Sequence, residues 1–334
     1  MKVLIIRLMG LGDVASILIP AVKIIQSSYP QARIDVMTLG AGVELMTLVP
    51  EVNAVLAVTK DQWPSDIHQA TDSFMSIADV VAQQGYDLII NLDTWFMPCF
   101  LASFLKESGL NVQGNLINLS VSDLLRQVQA QTLAQTYFQT PHQYLASTYP
   151  KMRDWTLPWW NQYPNVSYPE FYLSHCCGFE HAVDISLMIE ADHDFKSQAG
   201  AKKIIALSLS GSKASKQYKD AEALTVQLEQ AGFFVWSQFD GSVSMLTTLG
   251  RLKVTDLLVT VATSTQWLAK LVGCPSLMMP GALPPSVLGA DFVVDKVQSC
   301  QYCYQNQCVE NKNFACMDIA VQDVVKKVLG SFKV

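Results

Sequence analysis

The stretch KVLIIRLMGLGDV, Lys2 to Val14, decides how the rest of the chain is read. Four apolar residues, Val3 to Ile6, make a short strand, and Gly10, Gly12 and Asp13 follow it closely. A strand that turns through Gly-x-Gly into a helix marks a phosphate site, because glycine lets the backbone approach a ligand and a helix N-terminus attracts negative charge. Asp13 then has two readings, a cap on the following helix or a base. The third glycine of a dinucleotide fingerprint is replaced by Ala15, and Asp35 lies inside the next strand instead of at its end, which disfavours a dinucleotide dehydrogenase.

Outward from this turn, apolar residues recur at helical spacing at Ile17, Ala21, Ile24 and Ile25, and the strand ARIDVMTL follows. Further units come at VNAVLAV and at YDLIINL, the latter preceded by a helix through SIADVVAQQG. The pattern is α/β with an open, largely parallel sheet. It breaks down between Gln127 and Tyr168 into Gln, Tyr, Trp and Pro. There the segment TYPKMRDWTLPWWNQYP combines Lys151 and Arg153 with Trp155, Trp159 and Trp160, and reads either as a membrane-interface patch or as an aromatic linker packed on the body of the protein. A second series follows: IIALSLS, AEALTVQLEQAG, FFVWSQF, MLTTLGRL, DLLVTVA, QWLAKLVG and SLMM, with helices ending at Gly232 and Gly273. The expected architecture is two doubly wound domains, residues 1–165 and 166–334, whose strand ends face each other across a cleft.

A chain of 334 residues, half of them hydrophobic and 16% charged, is long enough for two ordinary cores. The net charge of −6 argues against a nucleic-acid partner, so an anionic ligand must be met by local groups. No run of about 18 uncharged apolar residues suggests a membrane span, and the interrupted first strand does not read as a secretion signal. The expected location is cytoplasmic.

Three further places carry chemistry. In LSLSGSKASKQY, Ser208, Ser210, Gly211 and Ser212 offer hydroxyls and amides while Lys213 and Lys216 offer positive charge; a polar loop with solvated lysines is the alternative. In VATSTQWLAKLVGCP, Thr263 and Ser264 stand at a helix start. Two such turns in one domain suit a nucleotide diphosphate held between them. Asp93, at the end of YDLIINLD, is placed to bind an acceptor hydroxyl or to cap a helix. Finally, Cys300, Cys303, Cys308 and Cys316 form C-x2-C-x4-C-x7-C, a spacing that suits a structural Zn or Fe site, with free thiols or disulfides as alternatives. Cys99, Cys176, Cys177 and Cys274 read as packing residues, and His142 and His175 as structural.

Taken in order, RLMGLGDV, YDLIINLDT, GSKASKQY, ATSTQWLAKLVGCP and the closing SCQYCYQNQCVENKNFACMDIAVQDVV resemble the ADP-heptose lipopolysaccharide heptosyltransferases, glycosyltransferase family nine. The resemblance is loosest through residues 95 to 200. It implies a GT-B architecture of two Rossmann-like domains, an acceptor mainly on the first and an ADP-sugar mainly on the second, no catalytic metal, and a glycolipid or glycan acceptor met near the inner membrane face. It further implies Asp13 as the base of an inverting transfer and Lys216 as the lysine on the donor phosphates, with Gly10 and Gly12 leaving room at the turn. Some relatives bind iron structurally at a comparable cysteine cluster. Where the family carries Asp-Thr-Gly, two residues and a His, this chain has Ala262-Thr263-Ser264 and then Trp267. Those departures keep a second expectation open, a noncatalytic relative acting as a binding or assembly module.

Overall fold

A computed structural model describes every residue except 60–61, 65–66, 306, 309–312 and 333–334, and the side chain of residue 68. The chain divides into two units, Met1–Gln162 with Pro169–Asp184, and Tyr163–Tyr168 with Ile185–Val334. Where the sequence suggests one boundary at 165/166, the chain thus crosses between units repeatedly. Pro169–Asp184 returns to the first unit because its apolar side chains find a core there. Phe171 stacks on the buried Trp159 at 4.2 Å, and Tyr172 donates a hydrogen bond to the Leu92 carbonyl at 2.6 Å.

The first unit is built on a six-stranded sheet of β1 (Lys2–Ile6), β2 (Arg33–Leu39), β3 (Val52–Val58), β4 (Leu88–Asn91), β5 (Val112–Ile117) and β6 (Leu145–Ser147). Its order is β3-β2-β1-β4-β5-β6, parallel except for β6. Val3 to Ile6 of β1 have no exposed surface, as the central strand of a sheet covered on both faces requires. The helix α1 (Leu11–Ser28) follows β1, and α2 (Ile67–Gln83) and α3 (Phe96–Glu107) flank β4. By length and composition α1 is apolar enough to cross a membrane, although Asp13 and Lys23 interrupt its apolar run. Its place in the fold accounts for that composition: Val14, Ile17, Leu18, Ile19, Ala21 and Val22 are fully buried in the unit. Each of the Val, Leu and Ile side chains among them contributes roughly 1.5–3 kcal/mol of burial. At β5, Gly114 has φ +97°, and a Cβ there would stand 2.1 Å from the Asn91 carbonyl oxygen, so only glycine lets β5 lie against β4.

The aromatic segment packs on this core. Trp159 is buried, Trp155 packs on Trp159 and edge-on to Tyr172, and Trp160 packs edge-on to Trp159, while Lys151 and Arg153 are exposed. His175 stacks on Phe171 and pairs with Asp154 at 2.7 Å.

The second unit carries five strands, β7 (Ile204–Ser208), β8 (Phe234–Trp236), β9 (Leu257–Val261), β10 (Ser276–Met279) and β11 (Phe292–Val293), in the order β11-β10-β9-β7-β8, all parallel. The helices α4 (Ala221–Gln230), α5 (Met245–Lys253), α6 (Ser264–Leu271) and α7 (Val321–Ser331) belong to it. Leu224 and Leu228 of α4 and Val324 and Val328 of α7 share one core with Ile205, Val259 and Leu277. The glycines expected to end helices do so, Gly232 at φ +92° and Gly273 at φ +72°.

Candidate functional site

In both sheets the first strand has neighbours reached by connections running in opposite directions. In the first unit β1 lies between β2 and β4, and in the second β7 lies between β8 and β9. Ligands of open α/β sheets bind beyond the carboxyl ends of the strands at such reversal points. The residues singled out in the sequence gather at these two places.

At the first, Ile6 pairs with Asn91, so the residues after β1 and β4 emerge side by side. Arg7 has no exposed surface. Its Nη2 donates to Asp13 Oδ1 at 2.7 Å, its Nη1 donates to the Leu92 carbonyl, and its Nε lies 3.9 Å from Asp93 Oδ1. The guanidinium carbon sits 5.2 Å over the Tyr172 ring. Gly10 is the residue before the helix, and the backbone N–H of Asp13 donates to the Gly10 carbonyl, so Asp13 is already inside the first turn. No side chain caps this helix start. The capping reading of Asp13 therefore falls away. Its carboxylate is a quarter exposed and held from behind by Arg7. Gly12 follows within the same turn, and a Cβ built at Gly10 meets nothing within 4 Å, so the space beside the turn is open. Immediately after this turn α1 takes a π-helical course over Val14–Leu18, a distortion often found at functional sites.

Asp93 does not offer an acceptor contact in this arrangement, because it is fully buried. It accepts a hydrogen bond from the Leu8 backbone N–H and so ties the end of β4 to the turn after β1. Nor does it cap α3, whose N-cap position is Trp95 without a side-chain bond. Burial pushes its carboxyl up to about 6, against the pull of Arg7 and of backbone N–H groups, with Asp13 adding to the rise.

At the second reversal point Ser208 pairs with Thr260 across β7 and β9. The Ser208 hydroxyl donates to Thr265 Oγ1 at 2.9 Å and lies 3.4 Å from Thr263 Oγ1, which is 3.3 Å from Thr260 Oγ1. Thr260 Oγ1 also donates to the Ser208 carbonyl at 3.1 Å. This net joins the turn after β7 to the start of α6. The turn itself folds back on itself, with Ser210 Oγ donating to Gln217 Oε1 at 2.8 Å, Gly211 N–H donating to the Lys216 carbonyl at 2.8 Å, and Gln217 Nε2 donating to the Gly211 carbonyl. A Cβ at Gly211 would meet Lys216 Cβ at 2.8 Å and Thr263 Cγ2 at 3.2 Å. The glycine is what leaves room for Lys216 Cβ and Thr263 Cγ2 on either side of the turn, just before α6. Thr263 is the N-cap of α6 but makes no side-chain cap bond, Ser264 begins the helix and is partly exposed, and Ser212 is exposed on the turn. Unpaired amides in the first turn of a helix are the groups that meet an anion in other proteins.

Thus Ser210, Gly211, Lys216, Thr263 and Ser264 meet in the second unit, while Gly10, Gly12, Asp13 and Asp93 meet in the first. Arg7 is the functional residue that sequence reasoning misses. A charged residue directly after Val-Leu-Ile-Ile is nonetheless a signal, since a buried arginine persists only with acidic partners. The hydroxyls of Thr260 and Thr265 and the side chain of Gln217 are likewise missed, being ordinary residues until the sheet order brings them together. Ala262 and Trp267, which stand where the family has Asp and His, are both buried, Trp267 near Tyr168 at 6.3 Å.

Cys300, Cys303, Cys308 and Cys316 line one small hollow together with Gly281, Phe314 and Ala315. Burial raises the Cys316 thiol, and the other three sulfurs add to the rise. Among the described residues, no group of three His, Cys, Asp or Glu side chains stands close enough to hold a metal as placed. The remaining four cysteines are buried; burial pushes the thiols of Cys176 and Cys274 up to about 12 and those of Cys99 and Cys177 well above the usual range, so all four stay protonated packing groups.

No protein-family model and no curated protein matches the chain. Solved structures do. A glycosyl transferase of family 9 from Veillonella parvula superposes with a TM-score of 0.68 at 14% identity, over 98% of this chain and 96% of its own. The fold is that of family-nine glycosyltransferases. ADP-heptose lipopolysaccharide heptosyltransferase II of E. coli gives 0.59 at 15% identity, over 99% and 98% of the two chains. The dodecameric iron-containing heptosyltransferase TibC, solved with ADP-D-beta-D-heptose, gives 0.59 at 11%, over 99% of this chain and 76% of its own. Within this two-domain GT-B fold, the strand-end turn of the first unit carries the charged site and that of the second unit the hydroxyl-lined one.

Proposed function

We propose that the protein is an inverting glycosyltransferase that moves a heptose or related sugar from an ADP-sugar to a lipopolysaccharide core or similar surface glycan, in the cytoplasm. The observation that carries the reading is Asp13, a partly exposed carboxylate at the β1 reversal point that does not cap its helix and is anchored by a buried arginine. Asp13 takes the proton from the acceptor hydroxyl as its oxygen forms the new bond to the anomeric carbon. The bond from that carbon to the diphosphate breaks on the opposite face, and the charge left on the diphosphate is met by Lys216 and the first-turn amides of α6. Positive charge at that site is thus supplied by the protein, and the reading calls for no catalytic metal. The name of the E. coli heptosyltransferase and the ligand of TibC support ADP-heptose as the first donor to try.

Calorimetric titration with ADP, GDP and UDP tests the donor reading: selective micromolar binding of ADP supports it, and binding of none defeats it. Release of ADP from ADP-heptose with lipopolysaccharide core oligosaccharide as acceptor tests the reaction. A second reading, a noncatalytic binding or assembly module, draws on the buried Ala262 and Trp267, which supply neither the acid nor the imidazole of the family pattern. Nucleotide binding without any transfer would favour it.

The four cysteines that share one hollow fit a four-thiolate structural Zn or Fe in donor type, and TibC is described as iron-containing. As placed, the sulfurs need to draw together to ligate one ion. Metal bound there would brace the segment from Cys300 to Cys316. Elemental analysis of protein purified without added metal should find about one equivalent per chain; four freely titrating thiols and no metal would remove this site.

A further inference from the structure

We propose that Tyr218 and Gly281 are positioning residues that lock the turn carrying Lys216 to the end of the four-cysteine segment, which thereby supports nucleotide binding from outside the site. The proposal rests on the reading of that turn as part of the donor site. The turn leaves β7 at Leu209 and returns at Tyr218, whose N–H donates to the Leu209 carbonyl at 2.9 Å. Between them Lys216 lies in a single 3-10 turn, Ala214–Lys216, in which Ser215 is buried.

Contacts of different kinds tie this turn to the residues directly after Cys316. The hydroxyl of the buried Tyr218 donates to the Ile319 carbonyl at 2.9 Å. Gly281, at φ +59°, is wedged between the two: a Cβ there would stand 2.7 Å from Met317 Sδ and 3.0 Å from the Ser215 carbonyl oxygen. Only glycine leaves the backbone after β10 room in that gap. Ala282, the next residue, lines the hollow of the four cysteines, and its carbonyl accepts from the Tyr304 N–H at 2.8 Å. Leu209, Tyr218, Met317 and Ile319 share one core, and Cys316 packs against it. Lys219 also pairs with Asp318, which pairs with Lys296 at 3.1 Å, but exposed ion pairs of this kind add little. A displacement of Cys316 therefore reaches the turn through Met317 and Ile319. When the lock opens, only the locked fraction of molecules binds nucleotide, and the apparent affinity falls by that fraction.

The test uses Tyr218→Phe, which removes only the hydroxyl, and Gly281→Ala, which forces a methyl group into the wedge. In calorimetric titration at a temperature where both variants are folded, ADP affinity should be about threefold weaker in the first and about tenfold weaker in the second. Amide hydrogen exchange of residues 209–218 without nucleotide should quicken in both, while exchange in β1 and β4 stays as it was. Unchanged affinity in both variants overturns the proposal, also where thermal stability has fallen, because that result describes packing alone. A measurement on the unaltered protein guards against variants that fail to fold. Coupling is reciprocal, so saturating ADP should slow exchange across residues 314–319; exchange there that ignores ADP overturns the coupling. Should no nucleotide bind the unaltered protein, the donor reading fails, and the exchange of residues 209–218 in Tyr218→Phe still decides separately whether the lock exists.

Discussion

The two strand-end turns share a topological origin and differ in substance. After β1 the protein assembles charges, Arg7, Asp13 and Asp93, two of them without any exposed surface. After β7 and β9 it assembles hydroxyls and amides, from Ser208, Thr260, Thr263, Thr265 and the start of α6, with Lys216 beside them. A buried ion cluster is poorly suited to binding a diphosphate, yet it can hold one carboxylate in a defined state. A hydroxyl-lined helix start is a weak proton acceptor, yet it accommodates negative charge without titrating. Under the proposed function, proton transfer falls to the first turn and anion binding to the second, in line with the chemistry each can sustain.

The largest expected effect separates the two turns outright. Asp13→Ala should lower transfer by about 10²- to 10⁴-fold while leaving ADP affinity within about twofold, read by ADP release and by calorimetry. Loss of ADP binding in this variant would break the division.

Next comes the pH dependence of stability. The Asp93 carboxyl titrates near the usual carboxylate value in the unfolded chain and at about 6 in the folded protein, so the folded state binds that proton more tightly. Its contribution to stability is present below pH about 4, is lost as pH rises toward 6, and stays lost above. The change is on the order of 3 kcal/mol. Urea unfolding from pH 4 to 7 should show this slope in the native protein and its absence in Asp93→Asn; equal slopes would mean that burial at the first turn is not the dominant influence.

Smaller again, Lys216→Ala should weaken ADP binding by about 10- to 100-fold, the range of one or two charge-assisted bonds, without moving the pH profile. A shifted acid limb would show that the second turn takes part in proton transfer. The smallest effect is expected at Ser208→Ala, which removes one member of the hydroxyl net and should weaken ADP by only a few-fold, about 1 kcal/mol, measured by the same titration.

Much of the fold and part of the site are legible in the residues alone. The eight strands read from apolar runs, KVLIIRL to SLMM, are present and Gly232 and Gly273 end helices as expected, whereas β5, β6, β11 and the helix α3 are not anticipated. Gly211 and Lys216 stand out by type and spacing, although the reason glycine is needed, its approach to Lys216 Cβ and Thr263 Cγ2, does not. Asp93 shows the opposite failure. Its position at a strand end is as expected, but position alone does not tell an open edge from a buried one, and Tyr172, returning to the first unit, bonds the Leu92 carbonyl directly beside it.

By itself the sequence determined the local elements, their α/β class and the residue types at each turn, because hydrophobic period and turn chemistry act over a few neighbouring residues. Tertiary structure alone decided the strand orders, β3-β2-β1-β4-β5-β6 and β11-β10-β9-β7-β8, and with them the meeting of Arg7 with Asp93 and of Ser208 with Thr263. Parallel pairing joins strands separated by whole crossover connections, so which ends become neighbours is set by packing of the completed sheet and not by any short stretch of chain.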